Sequence, residues 1–303
     1  MIPRAMPPLI QLNRSSQHNI VFIFKHLIKA RSMTTETTTT TASNNGNNNS
    51  HQTNHNDDVI ELCKANAARA AVDDNVNSNC IVGIGSGSTM RYVLERLKQK
   101  CLTNNLTIKC IPTSFQSKQL IYDYELPIGE IEAYPVLDLT IDGADEVDEN
   151  FVAIKGGGAC LAQEKVIAFA AKKFFVVADY RKNSKHLCQN WTKGIPIEVL
   201  PMACNAVRHH IAQQFNIKPA DIKIRIGKEK AGPVITDNGN FVLDWKYDRT
   251  QLGDRTSSQW KSLSDQIKLI PGVVETGIFA DMISAVYFGQ EDGYVFKKVP
   301  PQP

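Results

Sequence analysis

The stretch Leu137 to Lys165, LDLTIDGADEVDENFVAIKGGGACLAQEK, gathers side chains that can move protons. An apolar run from Val136 to Ile141 ends in Asp142, followed by Gly143, Ala144 and Asp145. Lys155, the glycines Gly156, Gly157 and Gly158, and a helix-like segment carrying Glu164 come next. Carboxylates, one ammonium and a flexible turn within so short a span suit proton transfer on a small anionic molecule.

Each member has a chemical reason to be there. Asp142 lies at the end of a predicted strand, where open α/β sheets bind ligands, and Gly143 lets the chain turn sharply. Two carboxylates three residues apart in that turn could handle the hydroxyl protons of a sugar. Lys155 could stabilise a developing oxyanion, and the three glycines permit close backbone approach with amide donors left free. Glu164 shares a helix face with Leu161, Ile167 and Ala168, so it is expected to point inward. A glutamate on an apolar face near a ligand has a raised pKa and makes a competent general base. Asp148 and Glu149 read as a solvated acidic turn, and Lys165 and Lys172 as solvated helix charges.

Upstream, Gly83-Ile-Gly-Ser-Gly-Ser-Thr89 separates a predicted strand from a predicted helix. Backbone N–H groups at such a helix start favour an anion, and Ser86, Ser88 and Thr89 flank Gly87 with hydroxyl donors. The loop is not a dinucleotide fingerprint. Ser88 stands where the third glycine belongs, and the next strand ends in Pro112-Thr113-Ser114 with no acid for a ribose. Nor is it a P-loop, since no GK[ST] is present. A phosphate cradle for a smaller ligand remains. Past the run Phe174 to Ala178, Lys182 could reach a phosphate, with Arg181 and Lys185 as rivals. His186, His209 and His210 show no ligand spacing.

The elements that must hold these groups follow from periodicity. Val59 to Val72 is an alanine-rich helix, Ile81 to Ile84 a buried strand, Met90 to Lys100 a helix and Thr107 to Ile111 a second strand. Phe115 to Ile121 reads as a helix with Ser114 as its N-cap. Val136 to Ile141 is a strand, Leu161 to Lys173 a helix and Phe174 to Ala178 a strand. Strands alternating with helices imply an α/β fold: a parallel sheet with helices on both faces. Near Pro196 the pattern changes. A strand at Ile197 to Val199, a helix from Met202 to Phe215, alternation through Ile222, Ile224 and Ile226, and a helix from Ser258 to Ile270 suggest a smaller α+β domain. Asp237-Asn-Gly-Asn240 is a hairpin signal between Val234 to Thr236 and Phe241 to Trp245. Val273 to Phe279 and Ala285 to Phe288 read as closing strands.

The totals exclude several classes. The chain has 303 residues with a formal net charge of +3, so no electrostatic case for nucleic acid arises. The seven cysteines are scattered without a CxxC pair, against a zinc site or a disulfide framework. The longest apolar candidate, Ile20 to Ile28, is broken by Lys25 and His26, against a membrane span. Residues 1–56 hold threonine and asparagine tracts and are expected to be disordered. The first 35 residues carry Arg4, Arg14, Lys25, Lys29 and Arg31 without Asp or Glu, which resembles a mitochondrial transit peptide. No clear amphipathic arginine face appears, so a dispensable tail and a cytoplasmic protein are the preferred expectation.

Taken together, GIGSGST at Gly83 to Thr89, DGADE at Asp142 to Glu146, KGGGA at Lys155 to Ala159 and EK at Glu164 to Lys165 resemble ribose-5-phosphate isomerase of the A type. EVLPMA at Glu198, TDNGN at Thr236 and IPGVVETGIFA at Ile270 extend the resemblance across about Asp57 to Val299. It implies interconversion of ribose 5-phosphate and ribulose 5-phosphate in the pentose phosphate pathway, without metal or cofactor. Ser86 to Thr89, Asp142 to Asp145, Lys155 to Gly158 and Lys182 would contact substrate, with Glu164 as proton acceptor. It implies a Rossmann-like domain over residues 57–196 and 274–299, a ferredoxin-like insertion over 197–273, and a homodimer or homotetramer. A phosphosugar-sensing module, a sugar-phosphate deaminase or a CoA transferase on the same sheet are the rival readings.

Overall fold

The computed structural model describes residues 49–301. The disordered-tail and targeting expectations therefore fall almost wholly outside the described residues. Within them, helix α1 (Asn49–Asn75) already begins ahead of the expected start at Asp57.

In chain order there follow β1 (Cys80–Ile84), α2 (Met90–Asn104), β2 (Ile108–Pro112), α3 (Phe115–Asp123), β3 (Leu139–Asp142), β4 (Glu146–Val147), β5 (Ala153–Ile154), α4 (Leu161–Ala170) and β6 (Phe174–Asp179). Then come β7 (Ile195–Val199), α5 (Cys204–Gln214), β8 (Ile222–Ile224), β9 (Phe241–Trp245), the one-turn α6 (Arg249–Leu252), α7 (Ser257–Lys268) and β10 (Val273–Thr276). The chain closes with β11 (Ile278–Phe279), β12 (Ile283–Gly289) and β13 (Val295–Lys298).

The large sheet has the order β2-β1-β3-β6-β12-β13, parallel throughout except for the β12–β13 pair. Both its faces are covered, which is why its strands read as unbroken apolar runs. Phe175 and Val177 pack with α1, α2 and α3 through Ala68, Val93, Leu97 and Ile121. Phe174, Val176 and Ala178 turn the other way, toward Ala168 and Phe279. The chain leaves β1 for β2 on one side and returns to β3 on the other. Such a reversal opens a crevice at the carboxyl ends of β1 and β3.

The second sheet, β10-β7-β9-β8, is antiparallel, and with α5 and α7 it follows the βαββαβ order of a ferredoxin-like unit. Ile195, Ile197, Val199, Leu243 and Trp245 point to its helices and meet Val207, Ile211, Trp260 and Leu263. The alternate residues, among them Pro196, Glu198 and Asp244, face the opposite way. One expectation fails here. Val234 to Thr236 does not form a hairpin arm, because Thr236 and Asn240 close the turn at once (Thr236 N–H to Asn240 O, 2.9 Å) and their side chains go to Glu198. A third sheet, β11-β5-β4, was not anticipated; its two-residue strands are too short to show a period.

Candidate active site

The anion end of the crevice is built where β1 meets β3. Gly85 N–H donates to Ile141 O at 2.9 Å. A Cβ on Gly85 would lie 1.9 Å from Asp142 Oδ1, so only glycine lets the two strand ends close together. Ser86 N–H donates to that same oxygen at 3.0 Å. Gly87 takes φ +97° and gives its N–H to Gln116 Oε1. Thr89 caps α2 without a side-chain hydrogen bond; the Met90 and Tyr92 N–H groups go to Gly87 O and Thr89 O, and no side chain occupies the helix start, where the dipole favours an anion. Lys64 of α1 stands beside them, its Nζ 3.0 Å from Ser88 Oγ and 2.8 Å from Glu61. Ser114 caps α3 in a reciprocal box with Ser117, as its sequence predicts.

The chemical end is buried and interlocked. Lys155 Nζ lies 2.9 Å from Asp142 Oδ2, 3.2 Å from Glu164 Oε1 and 2.7 Å from Gly143 O. The hydrogen bond goes to Gly143 O, and the two carboxylates flank the ammonium as ion-pair partners. The side chains of Asp142, Lys155 and Glu164 are 0%, 3% and 6% exposed. Glu164 Oε2 is buried with no hydrogen-bond partner among the described residues. Asp145 accepts the Gly157 N–H at 2.7 Å, and a Cβ on Gly157 would sit 2.4 Å from that carboxylate.

These environments set the charges. Burial pushes the Glu164 carboxyl up to about 8, the Asp142 charge adds to the rise, and Lys155 pulls it back. Burial also raises Asp145, against the Gly157 amide and Lys155. For Lys155, burial acts to lower the pKa, but the carboxylates of Asp142 and Glu164 outweigh it and hold the ammonium above its ordinary value. The helix face drawn from Leu161, Ile167 and Ala168 is the inward one, since all three are buried with Glu164.

One cavity of about 870 Å³ joins the two ends. Ser86, Gly87, Ser88, Thr89, Gly143, Ala144, Asp145, Lys155, Gly156, Gly157, Gly158, Glu164 and Lys182 all line it. Asp142 is the exception: it lies beneath the floor, tying Ser86 and Gly143 to Lys155. Among the cation rivals, Arg181 is spent on Asp179 at 2.6 and 3.1 Å, and Lys185 is not part of the lining. Lys64, Gln116, Cys160 and Asp237 also line the cavity and were not singled out from the sequence. Lys64 carries no local signal beyond its place on an alanine-rich helix; Asp237 sits in a turn whose existence was legible but whose destination was not.

Two readings of charge are corrected. Asp148 is buried, not solvated, because it folds back to accept the N–H groups of Asn150 and Val152. Lys165 is also drawn inward, donating to Glu275 at 2.8 Å and Thr276 O at 2.6 Å, and burial lowers its pKa to about 8 despite the carboxylate. Among the described residues, no cluster of three His, Cys, Asp or Glu side chains is placed to hold a metal.

Comparison with known proteins places this geometry in context. Residues 109–293 match the family model described as ribose 5-phosphate isomerase A (phosphoriboisomerase A). A ribose-5-phosphate isomerase from Homo sapiens is 48% identical over 235 residues, 78% of this chain and 72% of the relative. One from Dictyostelium discoideum is 48% identical, covering 77% of this chain and 96% of the relative. A solved D-ribose-5-phosphate isomerase in complex with phospho-erythronic acid aligns with a TM-score of 0.71 at 37% identity, over 79% of this chain and 99% of that one. The ribose 5-phosphate isomerase A of Methanocaldococcus jannaschii gives 0.69 at 34% identity, over 80% and 99%.

Proposed function

Because this chain belongs to the ribose 5-phosphate isomerase A family and interconverts D-ribose 5-phosphate and D-ribulose 5-phosphate, we propose the following division of labour in its cavity. The phosphate rests on the N-terminus of α2, among Ser86 to Thr89, with Lys64 as the near cation and Lys182 on the opposite rim. The open-chain sugar extends from there toward Glu164. Glu164 Oε2, the carboxylate oxygen without a protein partner, takes the proton from the carbon beside the aldehyde. A cis-enediolate forms, and its oxygen faces the amide of Gly158. Glu164 returns the proton to the neighbouring carbon, while Asp145 carries the hydroxyl proton from one oxygen to the other. Asp145 also serves ring opening.

In this reading Lys155 holds the base in place and balances Asp142 and Glu164, its ammonium lying between the two carboxylates and Gly143 O. Asp142 acts from below the floor on the same assembly. The observation that carries the reading is a partnerless oxygen on a buried glutamate in one cavity with an uncapped helix start. Incubating the purified protein with ribose 5-phosphate alone tests it. Ketose should accumulate without added metal or cofactor, and failure to do so would refute the reading.

The pathway assignment is the pentose phosphate pathway, and the assembly a homodimer or homotetramer. Phe169, Met202 and Leu269, each more than four-fifths exposed, supply apolar surface that self-association would cover. A monomer mass by light scattering would overturn that assignment. A cytoplasmic location accords with seven unpaired cysteines, and imaging of tagged protein tests it.

A further inference from the structure

Arg225 follows β8 and belongs to the small antiparallel sheet, yet its guanidinium reaches the glycine turn between β5 and α4. Its Nη1 donates to Gly156 O at 2.7 Å and to Gly157 O at 3.1 Å. Its Nε and Nη2 are held by Asp244 of β9, at 2.8 and 2.5 Å. The backbone of Arg225 is fixed as well, its N–H on Val242 O and its carbonyl accepting from Val234. The pair is mostly buried, at 15% and 16% side-chain exposure.

A trans peptide points its C=O and its following N–H in opposite directions. The Gly156–Gly157 unit is therefore pinned at both ends, with Arg225 on its oxygen and Asp145 on its N–H. The next unit has Arg225 on Gly157 O, which turns the Gly158 N–H away from the guanidinium and toward the cavity that Gly158 lines. The turn is closed by the Ala159 N–H on Gly156 O at 3.0 Å, but nothing within it holds Gly157 O, and with open space around Gly158 that peptide takes its orientation from Arg225. A cation on the two carbonyls also polarises both peptides and strengthens their N–H groups as donors.

We propose that Arg225, braced by Asp244, is a positioning residue that aims the Gly158 amide, so that the small sheet takes part in the isomerisation without touching substrate. The proposal deepens the isomerase reading and rests on it. In Arg225→Met, kcat for ribose 5-phosphate should fall roughly 10- to 100-fold with KM within about twofold, short of the loss for complete removal of an oxyanion donor. Inhibition by phospho-erythronic acid, whose carboxylate would face the turn if its phosphate took the Ser86 to Thr89 end, should weaken by a similar factor. Arg225→Lys, which can still reach one carbonyl, should recover part of both.

A kcat within twofold of the parent, or a loss confined to KM, would overturn the proposal. So would an unchanged response to phospho-erythronic acid beside a lowered kcat, as expected of a merely structural defect. Should Arg225→Met fail to fold, Asp244→Asn loosens the same guanidinium; it should cost kcat about three- to tenfold, and no change would refute the role. An inactive parent protein would sink the isomerase reading itself, which keeps the two failures apart.

Discussion

The two ends of the cavity are built on opposite principles. At the Glu164 end three ionisable side chains are nearly sealed from solvent and paired with one another. At the Ser86 to Thr89 end the contacts come from backbone amides, hydroxyls and a lysine at the rim. The difference follows from what each end does in the proposed division of labour. A dianion that enters and leaves needs donors already in place and open to solvent, and helix starts supply them without burying a charge. A base that removes a carbon-bound proton gains from a dry site, where its proton affinity rises toward the working pH. Pairing then holds the dry charges that would otherwise be too costly to bury.

Breaking the dry end should therefore cost turnover and stability, and breaking the open end should cost binding. The largest effect belongs to Glu164→Gln. It removes the base without changing shape, and kcat should fall by about two to four orders of magnitude with KM little moved, by steady-state kinetics. Lys155→Met comes next. It leaves Asp142 and Glu164 facing one another, and loss of one partner from a buried pair costs about 3–5 kcal/mol, visible as a lower melting temperature together with weak activity. Lys64→Met tests the open end. KM should rise about tenfold while kcat holds, and the melting temperature should barely change. If Lys64→Met lowered kcat as strongly as KM is raised, the contrast between the two ends would fail.

The smallest effect is a displacement in pH. Since burial and Asp142 hold the Glu164 carboxyl up, near 8, the parent's kcat/KM should rise with pH as that group loses its proton. Asp142→Asn removes a charge that favours the protonated form, so the acid limb should move to lower pH. A limb that stays in place would detach Asp142 from Glu164. The stability sign runs the other way. A carboxyl with a raised native pKa contributes stability below its unfolded value of 4.5, and that contribution is lost as pH climbs toward 8.

What the sequence made legible was local. The Ser114 cap, the glycine turn after β1 and the inward face of α4 each depend on neighbours within a turn of chain, and each stands in the structure. The paired-sheet architecture followed from how helices and strands alternate. What escaped were partners distant in sequence. Lys165 looked solvated because its acceptors, Glu275 and Thr276, lie more than a hundred residues on. Asp148 looked solvated because an acidic turn gives no sign that its carboxylate will fold onto its own backbone. Lys64, Arg225 and Asp237 were passed over for the same reason, being ordinary charges until the fold brings them to Ser88, Gly156 and the Phe115 N–H.

Neighbouring positions on α4 serve opposite sides of a seam, Glu164 toward the sugar and Lys165 toward β10. Prising the small sheet away would strip a buried ammonium of its acceptors and swivel the catalytic acid along with it. A separation of the two sheets would therefore be penalised twice, by a stranded cation on one side of α4 and a displaced carboxyl on the other.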